Sequence, residues 1–233
     1  MTTQKKQRRY SGQRRAGIST PQILIVVGVA VLAVALLVIL NINRSPTGRV
    51  SNLAYATGVT PEGEPYKGSP DAPLELVEYS DFLCSHCRNF ADALSSLSPD
   101  YIESGKVRVV FRNFAFLAPE STQAAQAAEC ALDQGADKFW QYHDLLFANF
   151  GTGLAAYSKP RLETYAKQIG LNAATFRNCL DSGAKAGEVQ ADLDEGTSQG
   201  VTGTPTWFLD GQRGSGEVPV DELRQLFDSQ VSQ

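Results

Sequence analysis

A chain of 233 residues with 42% hydrophobic and 20% charged side chains has the make-up of a folded protein, which excludes a disordered or fibrous one. Its formal charge of −4 hides an asymmetry: residues 1–50 carry eight Lys and Arg and no acid, leaving the remaining 183 residues at a net −12. An acidic body behind a basic head disfavours nucleic-acid binding by the body. Four cysteines are too few for a disulfide-dense small scaffold, so their spacing must decide between redox chemistry, metal binding and structural bridges.

From Ile23 to Leu40 every residue is apolar or Gly, after six Lys and Arg in the first 22 positions. Eighteen uncharged residues predict one membrane-spanning helix behind a basic tail over 1–22. A cleaved secretory signal is the alternative, although Asn41-Ile42-Asn43-Arg44 comes next without a small-residue cleavage pattern. Both readings export the C-terminal part of the chain, and the basic flank keeps the N-terminus cytoplasmic. Residues 41–67, rich in Pro, Gly, Ser, Thr and Asn, read as a linker, with room for a short strand near the end of the tether.

Leu74 to Tyr79 alternates between apolar and polar and predicts a strand running into a turn at Ser80-Asp81. Cys84-Ser85-His86-Cys87 comes directly after it, and Asn89 to Leu97 is compatible with a helix. Cys84 therefore falls at or just before a helix N-terminus, where backbone N–H groups and the macrodipole lower a thiol pKa. A protonated His86 would add a further positive charge. Zinc would require a second closely spaced Cys or His pair, whereas Cys130, His143 and Cys179 lie far apart.

Val107 to Phe114 predicts a second strand, and about 118–199 then reads as helices over 122–132, 137–150, 159–169, 173–181 and 184–196. Strands on both sides of a helical block imply an α/β domain with a helical subdomain. Cys130 and Cys179 sit among apolar residues of two of these helices. In an oxidising exterior a structural disulfide is favoured over buried free thiols or a relay to the first pair. Phe139, Trp140, Tyr142, Phe147 and Phe150 recur near helical spacing, as core residues would, and His143 receives no role.

Thr206 to Leu209 is β-rich and Asp210-Gly211 is a hairpin signal, so Pro205 stands where a loop enters a strand. It reads either as an ordinary edge-strand start or as a cis proline beside strand backbone that is open to an incoming peptide.

The order strand, C-x-x-C, helix and late Gly203-Thr204-Pro205 before a strand resembles the thioredoxin superfamily, and Glu78 to Cys87 is similar to the DsbA-like thiol:disulfide oxidoreductases, especially membrane-anchored bacterial ones. The resemblance covers about 68–230, and implies a thioredoxin-like fold with an inserted helical subdomain. It also implies that Cys84 attacks, Cys87 resolves, Thr204 and a cis Pro205 face the dithiol and substrate, and Glu78 assists proton transfer. An outward-facing strand residue is the other reading of Glu78. Ser85 stands where Pro is frequent in the family, which leaves the potential open.

The expected activity is donation of disulfides to reduced or unfolded exported proteins, with the cysteines carrying the electrons and neither metal nor organic cofactor needed. The resemblance implies a quinone-linked membrane reoxidant of the DsbB or vitamin K epoxide reductase-like type. Two rivals stand beside it: the same fold run as a reductase or isomerase, and a non-catalytic surface module whose dithiol is a structural bridge.

Overall fold

The computed structural model describes residues 29–34, 36 and 53–231. The first seven are helical and belong to a separate unit, Met1–Ser45. The basic tail expected over 1–22, and most of the span expected over 23–40, lie outside the described residues; among the described residues no helix is long and apolar enough to cross a membrane.

Among the described residues the second unit is built on six strands: β1 (Thr57–Val59), β2 (Pro65–Lys67), β3 (Leu74–Ser80), β4 (Val107–Asn113), β5 (Thr206–Leu209) and β6 (Gln212–Ser215). They lie in the order β1-β2-β4-β3-β5-β6, and only β3 and β4 run parallel. A parallel pair needs a crossover, which α1 (Ser85–Tyr101) supplies. Between β4 and β5 come α2 (Pro119–Leu132), α3 (Ala136–Ala148), a 3₁₀ turn (Leu154–Tyr157), α4 (Lys159–Gln168), α5 (Ala173–Ser182) and α6 (Ala186–Ser198); α7 (Val220–Val231) closes the chain. Asp210 and Gly211, at φ 47° and 79°, make the two-residue hairpin between β5 and β6 that the Asp-Gly pair predicts.

Two departures from expectation bear on the site. The segment 41–67 is not linker throughout, because β1 and β2 form a hairpin whose Tyr66 and Lys67 pair with Val110 and Val109 of β4. The domain thus begins before residue 68. Three-residue strands are too short to show alternation, and Pro65 stands at a strand's first position, where its missing N–H is tolerated. The active-site helix also extends beyond Asn89–Leu97 at both ends. Pro99, which cannot donate a backbone hydrogen bond, lies in its last turn, and Tyr101 beyond it packs on Phe227 of α7 with ring centroids 5.1 Å apart.

Alternation along β3 divides the interior. Leu74 and Leu76 enter the main core with Phe90 and Leu94 of α1 and Phe139, Trp140 and Leu146 of α3. Val77 and Tyr79 face the other way, into a smaller cluster with Phe114, Val201, Phe208 and Leu193 of α6. A Cβ on Gly196 would come within 2.9 Å of the Tyr79 and Phe114 rings, so only glycine lets α6 lie this close to the sheet. Phe139, Trp140, Tyr142 and Phe147 are buried core residues, as their spacing suggests. Cys130 and Cys179 form a disulfide that joins α2 to α5 with Cα atoms 5.9 Å apart.

A polar layer completes the α6 contact. The Arg112 guanidinium on β4 lies 3.3 Å from Glu64, 3.5 Å from Glu195 and 3.8 Å from Asp192. Asn113 donates to Glu129 of α2 at 2.7 Å and, through its backbone and side chain, to Asp192. Three carboxylates share one guanidinium, so burial and then the Asp192 charge push Glu64 up to about 8, against the pull of Arg112; burial raises Glu129 to about 8.

Folded-state carboxyl pKa values above the unfolded value mean stability that is complete below about pH 4.5 and lost as pH rises through about 8. The thermal midpoint is therefore expected to fall between about pH 4.5 and 8, and Glu129→Gln, which keeps the acceptor for Asn113 without the charge, to flatten that fall; calorimetry across the range checks it. Replacing both Cys130 and Cys179 by Ala, which opens a loop of separation 49, is expected to cost about 2–4 kcal/mol in denaturant unfolding.

Candidate active site

The site forms where β3 ends and α1 begins. Cys84 is the N-cap of α1, with φ −91° and ψ 122°, and its Sγ accepts from the Cys87 backbone N–H at 3.3 Å. Its own N–H donates to the Asp81 carbonyl at 2.9 Å. Cys84 therefore takes the role that Ser or Asp usually fills, with sulfur receiving the unsatisfied donors of a helix end. The Cys87 thiol, the Thr204 side chain and the backbone N–H groups of Cys87 and His86 stabilise the thiolate against the cost of burial, and bring Cys84 down to about 6. Cys84 is 7% exposed and Cys87 is fully enclosed; both are free thiols.

Cys87 behaves oppositely. Burial, the neighbouring Cys84 and the Glu78 carboxylate all push its thiol far above the ordinary range. The pair thus divides into one sulfur held as a thiolate near neutral pH and one held as a thiol. Glu78 points inward from β3 into this space, not outward, and its Oε1 has no hydrogen-bond partner among the described residues. Burial raises its carboxyl to about 7, with the Ser80 hydroxyl and the Lys67 ammonium partly opposing. An acid that is half protonated near neutrality beside a thiol that resists ionisation can exchange a proton with it.

Facing Cys84 from the other side is the loop before β5. The Thr204–Pro205 peptide bond is cis, and the Thr204 carbonyl accepts from the Cys84 thiol at 3.3 Å. Thr206 Oγ1 donates to the Gly203 carbonyl at 2.7 Å, and the Pro205 carbonyl accepts from Gly216 N at 2.8 Å. Trp207 stacks on Phe90 of α1 with centroids 6.3 Å apart, tying the loop's strand to the dithiol helix. A Cβ at Gly214 would lie 2.0 Å from the Trp207 ring, so the hairpin partner must be glycine there.

Cys84, Cys87, Glu78, Thr204 and Pro205 are thus brought together at one place. His86 is placed differently. Its imidazole is exposed and turned toward Glu217, Nδ1 to Oε2 3.3 Å, and it is His86's backbone N–H that supports the thiolate. In a helix's first turn the N–H groups point at the N-cap while the side chains project outward. Three residues near the site carry no signal in the sequence. Lys67, 5% exposed, lies with its ammonium 4.4 Å from the Trp140 ring centroid in a segment with the composition of a linker, and nothing local marks it. Asp81, in sequence a turn residue, is a buried carboxylate, and Tyr157 reaches the same loop from the insertion. His143 is buried among Phe82, Phe111 and Phe147, with Nδ1 3.0 Å from Asp144.

The model of the thioredoxin family matches residues 60–229. The chain belongs to that family, and the relatives and solved structures it is similar to include DsbA-like thiol-disulfide exchange proteins. It is 26% identical over 173 residues to the disulfide bond formation protein D of Bacillus subtilis, covering 73% of this chain and 78% of that one. The oxidised crystal structure of BdbD from Bacillus subtilis superposes with a TM-score of 0.68 and 26% identity, covering 77% of this chain and 99% of the other. Wolbachia pipientis alpha-DsbA2, a thiol-disulfide exchange protein, shares the fold at a TM-score of 0.62 and 22% identity over 70% of this chain and 85% of its own. The Na(+)/H(+) antiporter NhaA 3 of Salinispora tropica is 35% identical over 167 residues; they make up 71% of this chain, which spans only 24% of the antiporter's length.

Alkylation of the reduced protein is expected to follow a single thiolate with a midpoint near pH 6 at Cys84 and to leave Cys87 unmodified while folded. Cys87→Ala removes the largest stabilising partner and should move that midpoint upward, read by mass after timed iodoacetamide exposure at each pH.

Proposed function

We propose that the protein is an oxidase, donating the Cys84–Cys87 disulfide to reduced exported proteins outside the cytoplasm. The observation that carries this reading is the N-cap placement of Cys84. Stabilising the Cys84 thiolate stabilises the reduced dithiol, and a stabilised reduced form makes the disulfide a stronger oxidant.

The cycle starts from the Cys84–Cys87 disulfide. A substrate thiolate attacks Cys84 Sγ, the bond to Cys87 breaks, and Cys87 leaves with the electron pair. Because the enclosed Cys87 resists ionisation, it takes the proton that Glu78 holds near neutral pH. A second substrate thiolate then attacks the substrate sulfur of the mixed disulfide, and Cys84 departs as a thiolate onto the helix end. The substrate has lost two electrons, and the dithiol has gained them. The cis Pro205 and the Thr204 carbonyl face Cys84, where they would line an extended substrate segment. The cysteine pair is the redox group, and no metal or organic cofactor enters the cycle.

Reoxidation requires an electron acceptor, and a quinone-linked membrane protein of the DsbB or vitamin K epoxide reductase-like type suits a dithiol in that compartment. The apolar run 23–40 behind a basic tail supports a single-pass anchor with the N-terminus cytoplasmic. The Cys130–Cys179 disulfide supports an oxidising exterior for the domain.

Equilibration in glutathione buffers of defined potential, with thiols counted by mass, tests the direction. A midpoint nearer about −120 mV, the value of DsbA, than about −270 mV, that of thioredoxin, is expected; a value at the thioredoxin end reverses the electron flow. Cys84→Ser should fold yet fail to oxidise a reduced, unfolded protein. Glu78→Gln should slow mixed-disulfide formation and remove the inflection near pH 7 from its rate.

A further inference from the structure

The three residues that lead from β3 to Cys84 are held from outside the sheet. Asp81 is 1% exposed, and its carboxylate is surrounded by backbone donors: Oδ1 accepts from Leu83 N at 2.8 Å, and Oδ2 from Phe116 N at 3.1 Å and Leu117 N at 3.2 Å. Its carbonyl takes the Cys84 N–H. Residue 82 is anchored separately. The Phe82 carbonyl accepts from the Tyr157 hydroxyl at 2.9 Å, and its ring lies between Phe111 and Phe147 at centroid distances of 5.3 and 5.1 Å. Phe116 and Leu117 belong to the segment between β4 and α2, and Tyr157 to the 3₁₀ turn within the insertion.

We propose that Asp81 and Tyr157 are positioning residues for Cys84, through which the helical insertion and the segment leading into it hold the reacting sulfur on the end of α1. The proposal rests on the reading of Cys84 as the attacking thiol. Neither side chain is an ordinary structural polar group. A carboxylate enclosed beside a thiolate-bearing cysteine is electrostatically unfavourable to that thiolate, and an uncharged acceptor would avoid the conflict. A carboxylate is, however, the one side chain of this length whose two oxygens both accept, which three N–H groups on two separate segments require. The loop thus tolerates an adverse charge in exchange for a fixed position. Position matters because the Sγ contact to Cys87 N, at 3.3 Å, exists only while the loop delivers Cys84 to the N-cap of α1, and displacing Cys84 weakens it.

The two effects of losing Asp81 have opposite signs, which makes the test decisive. Asp81→Asn keeps one acceptor and turns an NH₂ toward the Phe116 or Leu117 N–H. If charge dominates, the midpoint of Cys84 alkylation moves to lower pH; if position dominates, it moves to higher pH. Tyr157→Phe removes an anchor without changing charge. Both variants are expected to raise the midpoint, by about one pH unit for Asp81→Asn, a tenfold loss of thiolate below the midpoint. The double variant should fall short of the sum, since both anchors hold one loop. A thermal unfolding scan and continued protection of Cys130 and Cys179 from alkylation establish that each variant is folded; should Asp81→Asn not fold, Tyr157→Phe decides alone. A midpoint unchanged or lowered in folded Tyr157→Phe overturns the proposal, as does a lowered midpoint in Asp81→Asn. Retained oxidation of reduced protein by Cys84→Ser would overturn the underlying function instead, whatever the loop variants do.

Discussion

A sulfur atom occupying the N-cap of α1 is the constraint on which the rest of the site depends. The free N–H groups of a helix end favour an anion, and Cys84 supplies it in place of the usual oxygen. Several contacts around it serve one of two ends, keeping that sulfur on the helix end or keeping water from its partner. The aromatic contact of Trp207 with Phe90 and the bonds of Asp81 and Phe82 do the first. The complete burial of Cys87 does the second.

Behind the dithiol the core is not wholly apolar. Glu78 and Lys67 are both buried, and each pulls the other toward its charged form while burial pushes both toward neutrality. An unpartnered carboxyl oxygen in such a place costs stability, of order 1–3 kcal/mol for a neutral group and more for a charged one. A fold that keeps it gains an acid able to change protonation near neutral pH, next to a thiol that must do the same. Lys67 reaches this layer from the β1–β2 hairpin, so a segment that looks like tether contributes a charge to the interior.

Besides packing α3 into the main core, the helical insertion meets the rest of the domain through two polar attachments among the described residues. On the side of α6 it meets the sheet through a crowded polar layer, where Arg112 is shared by Glu64, Asp192 and Glu195 and where Gly196 permits close approach to Tyr79. On the side of the dithiol it attaches through Asp81 and Tyr157. The Cys130–Cys179 bridge lies within the insertion and ties α2 to α5, which keeps the platform behind both attachments in one piece.

Local patterns determined much of this protein. Period-2 alternation marked β3, the Asp210-Gly211 pair marked the terminal hairpin, and the spacing of Cys84 and Cys87 put one sulfur at a helix start, because each of these depends on a few consecutive residues. Contacts between distant segments could not be read in this way. That Glu78 turns inward, that His86 turns outward toward Glu217, and that Lys67 and Asp81 are buried all depend on which surfaces the folded chain brings against them. Burial and field are properties of the packed assembly, so the sequence named the reacting atoms, while only the tertiary structure decided their protonation and what holds them in place.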